Sequence, residues 1–327
     1  MNKLRYLAVC LLSMVVALPM CLADDTELVK VAQFGKEKFL LYLPLYMAVE
    51  EGYFAEEGLR VDLTFAGNDD QVFASVLSGE VDFGISDPVF AAIAREKGGP
   101  GKVVALLVQK LGLSGFAKPL GLGKIAKPDD LAETRIGSLP RPSTMFTLLT
   151  QLMKRHALLG RTSIVPVPIG GQLAALEAGV VDIAVDLEPA VSIAESAGYR
   201  VVFPFDNYME PQAITGVTTV DRVIEQKPHT VQRFVRGIDR ALRTISRDHT
   251  TAIRVAHKIF PRVSPAIIAA AVNRMLAAGV FPPSAAVDND LWQRSLGTRL
   301  LSGELRAPQA TNVTVDSRFL TEGSGLS

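Results

Sequence analysis

The sequence predicts an α/β protein built as two similar lobes that share one cleft. Two near-repeated stretches carry this reading, Gly79-Glu-Val-Asp-Phe-Gly-Ile85 and Gly179-Val-Val-Asp-Ile-Ala-Val185. Each follows an apolar helical run, Val72 to Leu77 in one and Leu173 to Leu176 in the other, and each supplies a glycine turn, one aspartate and a short apolar strand. Each ends in an acidic loop closed by proline, Ser86-Asp87-Pro88 and Asp186-Leu187-Glu188-Pro189. A buried strand with a polar loop at its carboxyl end is how an open α/β sheet presents a ligand site. The third observation is size: roughly 300 residues after a leader is enough for two compact cores.

The leader is the first element. Lys3 and Arg5 precede an apolar run from Leu7 to Leu18, and Cys21-Leu22-Ala23 offers small residues before Asp24. This is the pattern of a secretory signal peptide over residues 1–23, with cleavage before Asp24. Lipidation at Cys21 is the alternative. Both cysteines, Cys10 and Cys21, lie in the leader, so the mature chain is expected to lack disulfides and thiolate catalysis. No metal or cofactor is expected. Lysine plus arginine equals aspartate plus glutamate at 34 each, and loss of Lys3 and Arg5 leaves 32 against 34. A nearly neutral surface argues against nucleic-acid binding.

The first lobe then alternates strand and helix. Leu28 to Phe34 is a strand; Pro44 starts a helix that Gly52 ends; Val61 to Phe65 is the next strand. Asn68, Asp69 and Asp70 cap the following helix, and Val103 to Gln109 is a strand after a glycine-rich turn. A crossing segment from Leu111 to Gly123 leads to the second lobe. There Arg135 to Ser138 and Ile164 to Val167 are strands, Ser143 or Thr144 caps a helix reaching His156, and Arg200 to Phe203 is the last strand. Phe205 to Thr218 crosses back, and the remainder is helical up to a polar tail beyond Arg306, expected to be loose. Arg233, Arg236, Arg240, Arg243 and Arg247 share one helix face opposite an apolar stripe, which reads as a solvated face.

Leu43-Pro-Leu-Tyr-Met-Ala-Val-Glu-Glu-Gly-Tyr-Phe-Ala-Glu-Glu-Gly-Leu-Arg-Val61 resembles the first helix of the periplasmic solute-binding proteins of ABC importers. The branch is the one for sulfonates, taurine, nitrate and thiamine-pyrimidine precursors (SsuA/THI5-like, NMT1-like). Lys127 to Leu131 with Arg135-Ile-Gly137, Leu173 to Asp182 with Glu188-Pro-Ala190, and Val231 to Val235 are similar to later parts of that family, in order. The resemblance implies a type II periplasmic binding protein fold, with C-terminal helices returning to lobe one. It implies lobe one over 24–112 plus 216–305, lobe two with the crossings over 113–215, and the tail over 306–327. It further implies a monomer that binds a small-molecule solute, is not an enzyme, and delivers to a membrane permease with its ATPase. A sensor and a pyrimidine-synthase-like enzyme are the rival readings; turnover of a bound molecule would identify the enzyme. Leu187 stands where relatives often carry tryptophan, and Pro142 where they carry glycine.

The candidate site residues follow from this frame. Ser86, Asp87, Asp186 and Glu188 lie on the loops after the repeats, where capping a helix is their alternative role. Asn68 can point an amide into the cleft. Phe34, Phe39 and Tyr42 form either a ligand wall or core. Ser114 sits at the crossing. Ser143 and Thr144 at a helix start, with Arg141 before them and Gly170-Gly171 at another, make an anion site the favoured expectation, most plausibly for a sulfonate or carboxylate. The acidity of Asp87, Asp186 and Glu188 argues instead for a cationic or nitrogen-rich solute. Protein exported by a Gram-negative host should have an intact mass beginning at Asp24; a lipidated mass beginning at Cys21 would replace the soluble form with an anchored one.

Overall fold

The computed structural model describes residues 26–141 and 143–320. The signal-peptide reading, the cleavage at Asp24 and the reading of Pro142 lie outside these residues. In the first lobe β1 (Glu27–Phe34), β2 (Leu59–Gly67), β3 (Phe83–Ser86) and β4 (Gly101–Val108) are joined by α1 (Leu43–Glu50), α2 (Tyr53–Glu56), α3 (Asp69–Ser78) and α4 (Val89–Glu96). The chain then forms β5 (Ser114–Ala117), β6 (Arg135–Ser138), α5 (Thr144–Arg155), β7 (Ser163–Pro166), α6 (Gln172–Glu177), β8 (Ile183–Asp186), α7 (Ala190–Ser196) and β9 (Arg200–Pro204). β10 (Thr215–Val220) returns to the first sheet, and the helices α8 (Asp221–Gln226), α9 (Pro228–Arg247), α10 (His249–Ile259), α11 (Pro265–Ala277), α12 (Asn289–Ser302) and α13 (Thr311–Thr314) follow.

The sheets have the orders β2-β1-β3-β10-β4 and β7-β6-β8-β5-β9. In each, four strands run in one direction, and the strand entered directly after a crossing runs antiparallel between two of them. The repeated motif does the same work twice. Gly79 and Gly179 adopt φ of 81° and 68°, the left-handed turn that glycine takes without steric cost. Beyond the turn, Asp82 Oδ2 accepts from Lys30 N at 3.0 Å and Asp182 Oδ2 accepts from Arg135 N at 2.8 Å. The same two backbones close the loop in return, Asp82 N to Lys30 O and Asp182 N to Arg135 O. These aspartates therefore pin the central strand of each lobe to its neighbour, β3 to β1 and β8 to β6. Lys227 and Arg135 neutralise them.

α9 buries Val231, Phe234, Val235, Ile238, Leu242 and Ile245 against lobe one. Phe234 stacks between Phe54 and Phe83, with ring centroids at 4.7 and 4.4 Å. A Cβ at Gly237 would lie 2.6 Å from Phe54, so only glycine lets α9 approach this closely. The arginine row is not simply solvated. Arg233, Arg236 and Arg240 pair with Glu27, Glu57 and Glu56, and Arg243 pairs with Asp239 in its own helix. The expected looseness of the tail is also corrected. Val315 pairs with Val103 at the β4 edge, Trp292 Nε1 donates to Thr314 Oγ1 at 2.8 Å, and Phe319 is fully buried. Apolar anchors at positions 315 and 319 outweigh the polar composition around them. Among the described residues no helix is long and apolar enough to cross a membrane.

Two segments, residues 109–113 and 205–214, connect the sheets. One buried carboxylate ties them: Asp206 accepts from Gly112 N at 2.6 Å and from Leu113 N at 3.0 Å. Asp206→Ala would leave two buried N–H donors unpaired, at roughly 1–3 kcal/mol each. The urea midpoint should fall accordingly, and crossing one should exchange its amide hydrogens faster; an unchanged midpoint would show that the tie carries no stability.

Candidate functional site

The crossings set the two sheets so that the carboxyl ends of β1, β3, β6 and β8 face one another across a cavity of about 60 Å³. Its aromatic side is built by a hydrogen-bond relay. Gln33, at the end of β1 and fully buried, accepts from the Tyr46 hydroxyl at 2.8 Å, and that hydroxyl accepts from Phe39 N at 3.1 Å. Gln33 also donates to the carbonyls of Phe34 and Glu37. The 34–39 loop is thereby fixed with Phe34 edge-on to Phe39 at 5.7 Å and Tyr42 beyond it at 6.3 Å. Leu41, Leu111, Leu139, Met145, Leu187 and Ile214 complete an apolar enclosure, and the polar groups that face it are Asp69, Asp87, Ser143, Thr144 and Thr215.

Most of those polar groups are already engaged. Asp87, 5% exposed, uses Oδ1 to cap α4 through Val89 N at 3.0 Å. Its Oδ2 accepts from the Thr144 hydroxyl at 2.7 Å and from the Arg299 guanidinium. Arg299, 4% exposed on α12, also reaches Thr144 Oγ1 at 2.9 Å and Glu304 at 2.6 Å. A lobe-one loop, a lobe-two helix start and a C-terminal helix thus meet at one carboxylate. Ser143 Oγ accepts from Phe146 N at 3.1 Å, so it caps α5.

Asp69 differs. Its Oδ1 accepts from Asp87 N at 2.9 Å, and its other oxygen has no protein donor among the described residues. Burial, and then repulsion from Asp87, push its pKa up to about 7. Tyr42 is raised well above its ordinary value by burial and by Asp69.

Phe39 and Leu187 also wall a second, larger cavity of about 510 Å³, lined by Gly170, Asp186 and Glu188 as well as Ile259 to Val263. Burial pushes Asp186 up to about 6 and raises Glu188 too. Glu188 Oε2 caps Ser192 N at 3.0 Å, while Oε1 lies 3.3 Å from Arg274 of α11, which also pairs with Glu195. This is a second arginine contact across the lobes.

The candidate residues therefore divide. Phe34, Phe39, Tyr42, Asp87, Ser143 and Thr144 line the inner cavity, and Gly170, Asp186 and Glu188 line the outer one. Asn68, Ser86, Ser114 and Gly171 line neither. Asn68 is exposed, its N–H donating to Gln71 in a capping box, and Ser86 is fully buried with no partner for its hydroxyl. Ser114 is buried in β5, and Gly171 starts α6. Arg141 is exposed, its guanidinium 4.6 Å over the Phe146 ring and away from the inner cavity. Reading Asp69 as a cap sets it outside the candidate set; its place on the polar turn leading from β2 into α3 is the available signal. Arg299 gave no local signal at all.

The NMT1/THI5-like family profile matches residues 41–252, which is more than half of the chain. The chain belongs to this family. It is 24% identical over 299 residues to the riboflavin-binding protein RibY of Chloroflexus aurantiacus, covering 86% of this chain and 83% of that one. A 65-residue stretch is 40% identical to the formylaminopyrimidine-binding protein of Halalkalibacterium halodurans, covering 20% of each. The fold is that of the periplasmic aliphatic sulphonate binding protein SsuA from Escherichia coli, with a TM-score of 0.72 at 14% identity over 92% of this chain and 96% of that one. The type II periplasmic binding protein fold of this NMT1/THI5-like chain is therefore established.

Because the folded pKa of Asp69 lies above its ordinary 3.8, the native state holds a proton that the unfolded chain releases. Its contribution to stability is fully present below about pH 4 and is lost as pH rises through about 7. Asp69→Asn should therefore gain stability over the wild type at neutral pH and little or none under acid conditions, read from urea midpoints across that window. An equal offset at every pH would refute the raised pKa.

Proposed function

We propose that this chain is the extracytoplasmic solute-binding component of an ABC importer and that its solute is a small planar nitrogen heterocycle with an N–H donor. The observation that carries this is the free carboxylate oxygen of Asp69 in an aromatic and apolar cavity. An acceptor in such a place suits a donor, and flat rings suit Phe34, Phe39 and Tyr42. Two relatives support the same class, since their names give riboflavin and formylaminopyrimidine as what they bind. A planar ring entering between the lobes would be held by both of them, which is how a binding protein couples capture to closure.

The anion reading rests on the N–H groups at the start of α5. Against it, the hydroxyls of Ser143 and Thr144 already serve Phe146 and Asp87, and Arg299 is neutralised by Asp87 and Glu304. Two carboxylates face the cavity and Arg141 does not. The geometry favours the nitrogen-bearing solute over the sulfonate or carboxylate.

A thermal-shift panel of pyrimidines, flavins, amines, sulfonates and carboxylates tests this. A true ligand at a hundred times its dissociation constant stabilises the fold by roughly 2.7 kcal/mol. The nitrogen heterocycles should raise the melting temperature, and at a pH above about 7, where Asp69 is ionised, Asp69→Asn should weaken the best of them by about 10- to 100-fold, the worth of a hydrogen bond to a charged group. Stabilisation by sulfonates alone would overturn the solute class. A deletion strain with unimpaired uptake of the bound solute would favour a sensor over an importer, and turnover of it an enzyme.

A further inference from the structure

Arg233, Arg236, Arg240 and Arg243 along α9, and Arg254 and Lys258 of α10, pair with carboxylates of the first lobe. A cluster of four elsewhere does not. Arg141, Lys154 and Arg155 in the second lobe and Arg294 on α12 are all exposed, and none reaches a carboxylate among the described residues. They flank the seam where α5 lies beside α12, held by Gln151 Nε2 donating to Thr298 O at 2.9 Å. Leu301 projects from that seam at 74% exposure, with a hollow of about 250 Å³ on one side and about 550 Å³ on the other. Gly297 lies on the floor of the smaller hollow, where a Cβ would meet nothing within 4 Å. One acid, Glu210, faces the same hollow.

We infer that the α5–α12 seam is a docking surface for an acidic protein partner, one that seats an apolar side chain beside Leu301 and sets carboxylates against Arg141, Lys154, Arg155 and Arg294. Charge complementarity selects the partner's sign, because four cations face one anion on a chain whose total charge is zero. The concavities on either side of Leu301 select a shaped protein surface over a flat one, and a lone apolar anchor inside a polar rim is how such contacts concentrate their affinity. The seam also joins the lobes: three of the cations move with α5 and the fourth with α12. Arg299, two residues from Leu301 on α12, is bonded to Thr144 and Asp87. A partner that needs all four cations in register therefore reads the lobe arrangement seen here. The inference rests on the importer reading only for where that partner is sought, the membrane.

The test places p-benzoylphenylalanine at Leu301 in the full chain, with Leu120, also exposed, as the control position, and irradiates cells of the native host. The expected result is a cross-link from 301 alone to a membrane-protein segment whose mapped peptide carries carboxylates. Lys154→Glu, Arg155→Glu and Arg294→Glu together should reduce it at least tenfold, and Arg294→Gln alone severalfold should the triple variant fail to fold. A cross-link to a second copy of the chain, none at all, or one indifferent to charge reversal overturns the proposal. So does co-flotation of the purified protein with phosphatidylglycerol vesicles but not phosphatidylcholine vesicles, abolished by the same reversals. Solute-dependent thermal shifts of the wild type and variants are measured alongside: their absence speaks against solute capture, while their presence with no cross-link speaks against docking alone.

Discussion

One carboxylate decides how the two lobes meet. Asp87 closes the first-lobe repeat, starts α4 through Val89 N, and holds Thr144 and Arg299 with its other oxygen. A buried ion pair gains little over apolar packing, but removing one member strands the other charge at a cost of about 3–5 kcal/mol. Specificity is the gain here, because only one arrangement of α5, α12 and the β3–α4 loop satisfies all three groups. Asp87, open in the sequence between ligand contact and helix cap, thus caps α4 and serves as the join between the elements that enclose the cavity. That leaves Asp69, which supports it through a single N–H, with acceptor capacity to spare.

The duplicated motif shows how one local solution serves both lobes while leaving the site free to differ. Asp82 and Asp182 take the same backbone partners in their respective sheets, so the resemblance between the stretches is explained by strand pinning. The loops beyond them diverge. Asp87 works inside the inner cavity, whereas Glu188 caps α7 and faces Arg274 beside the outer one. The two arginines, Arg299 and Arg274, come from different C-terminal helices and grip the second lobe at two separated places. Helices that pack on lobe one therefore also restrain lobe two.

Much of the fold was legible because its signals are local. Glycine turns at Gly79 and Gly179, the caps at Asn68 and Ser143, and the α9 stripe all depend on near neighbours, and the strands fall within a few residues of their expected places. The aromatic wall was legible for the same reason, since Phe34, Phe39 and Tyr42 follow the first strand directly. The rest of the site was not, because its decisive contacts are remote. Arg299 reaches Asp87 from 212 positions away, and no periodicity announces it. Arg141 failed as a cavity residue because the Phe146 ring five positions on offers a nearer, water-exposed resting place. The tail misleads by composition: buried Val315 and Phe319 fasten it, together with hydrogen bonds such as that from Trp292 to Thr314.

The place of β10 has a consequence for how the chain comes together. It lies between β3 and β4, yet the whole second sheet is threaded between those strands and it. A nascent chain that has made only its first hundred or so residues holds β2-β1-β3 as one fragment and β4 as another, each with an unpaired edge turned toward an empty position. The second sheet has no such gap, since all five of its strands are contiguous in sequence. The lobe made first is thus the lobe completed last, and it stays open to misplaced strand pairing for longer. Substitutions in β10 should then be felt as slow or failed maturation of the first lobe, well before they are felt as weakness in the finished molecule.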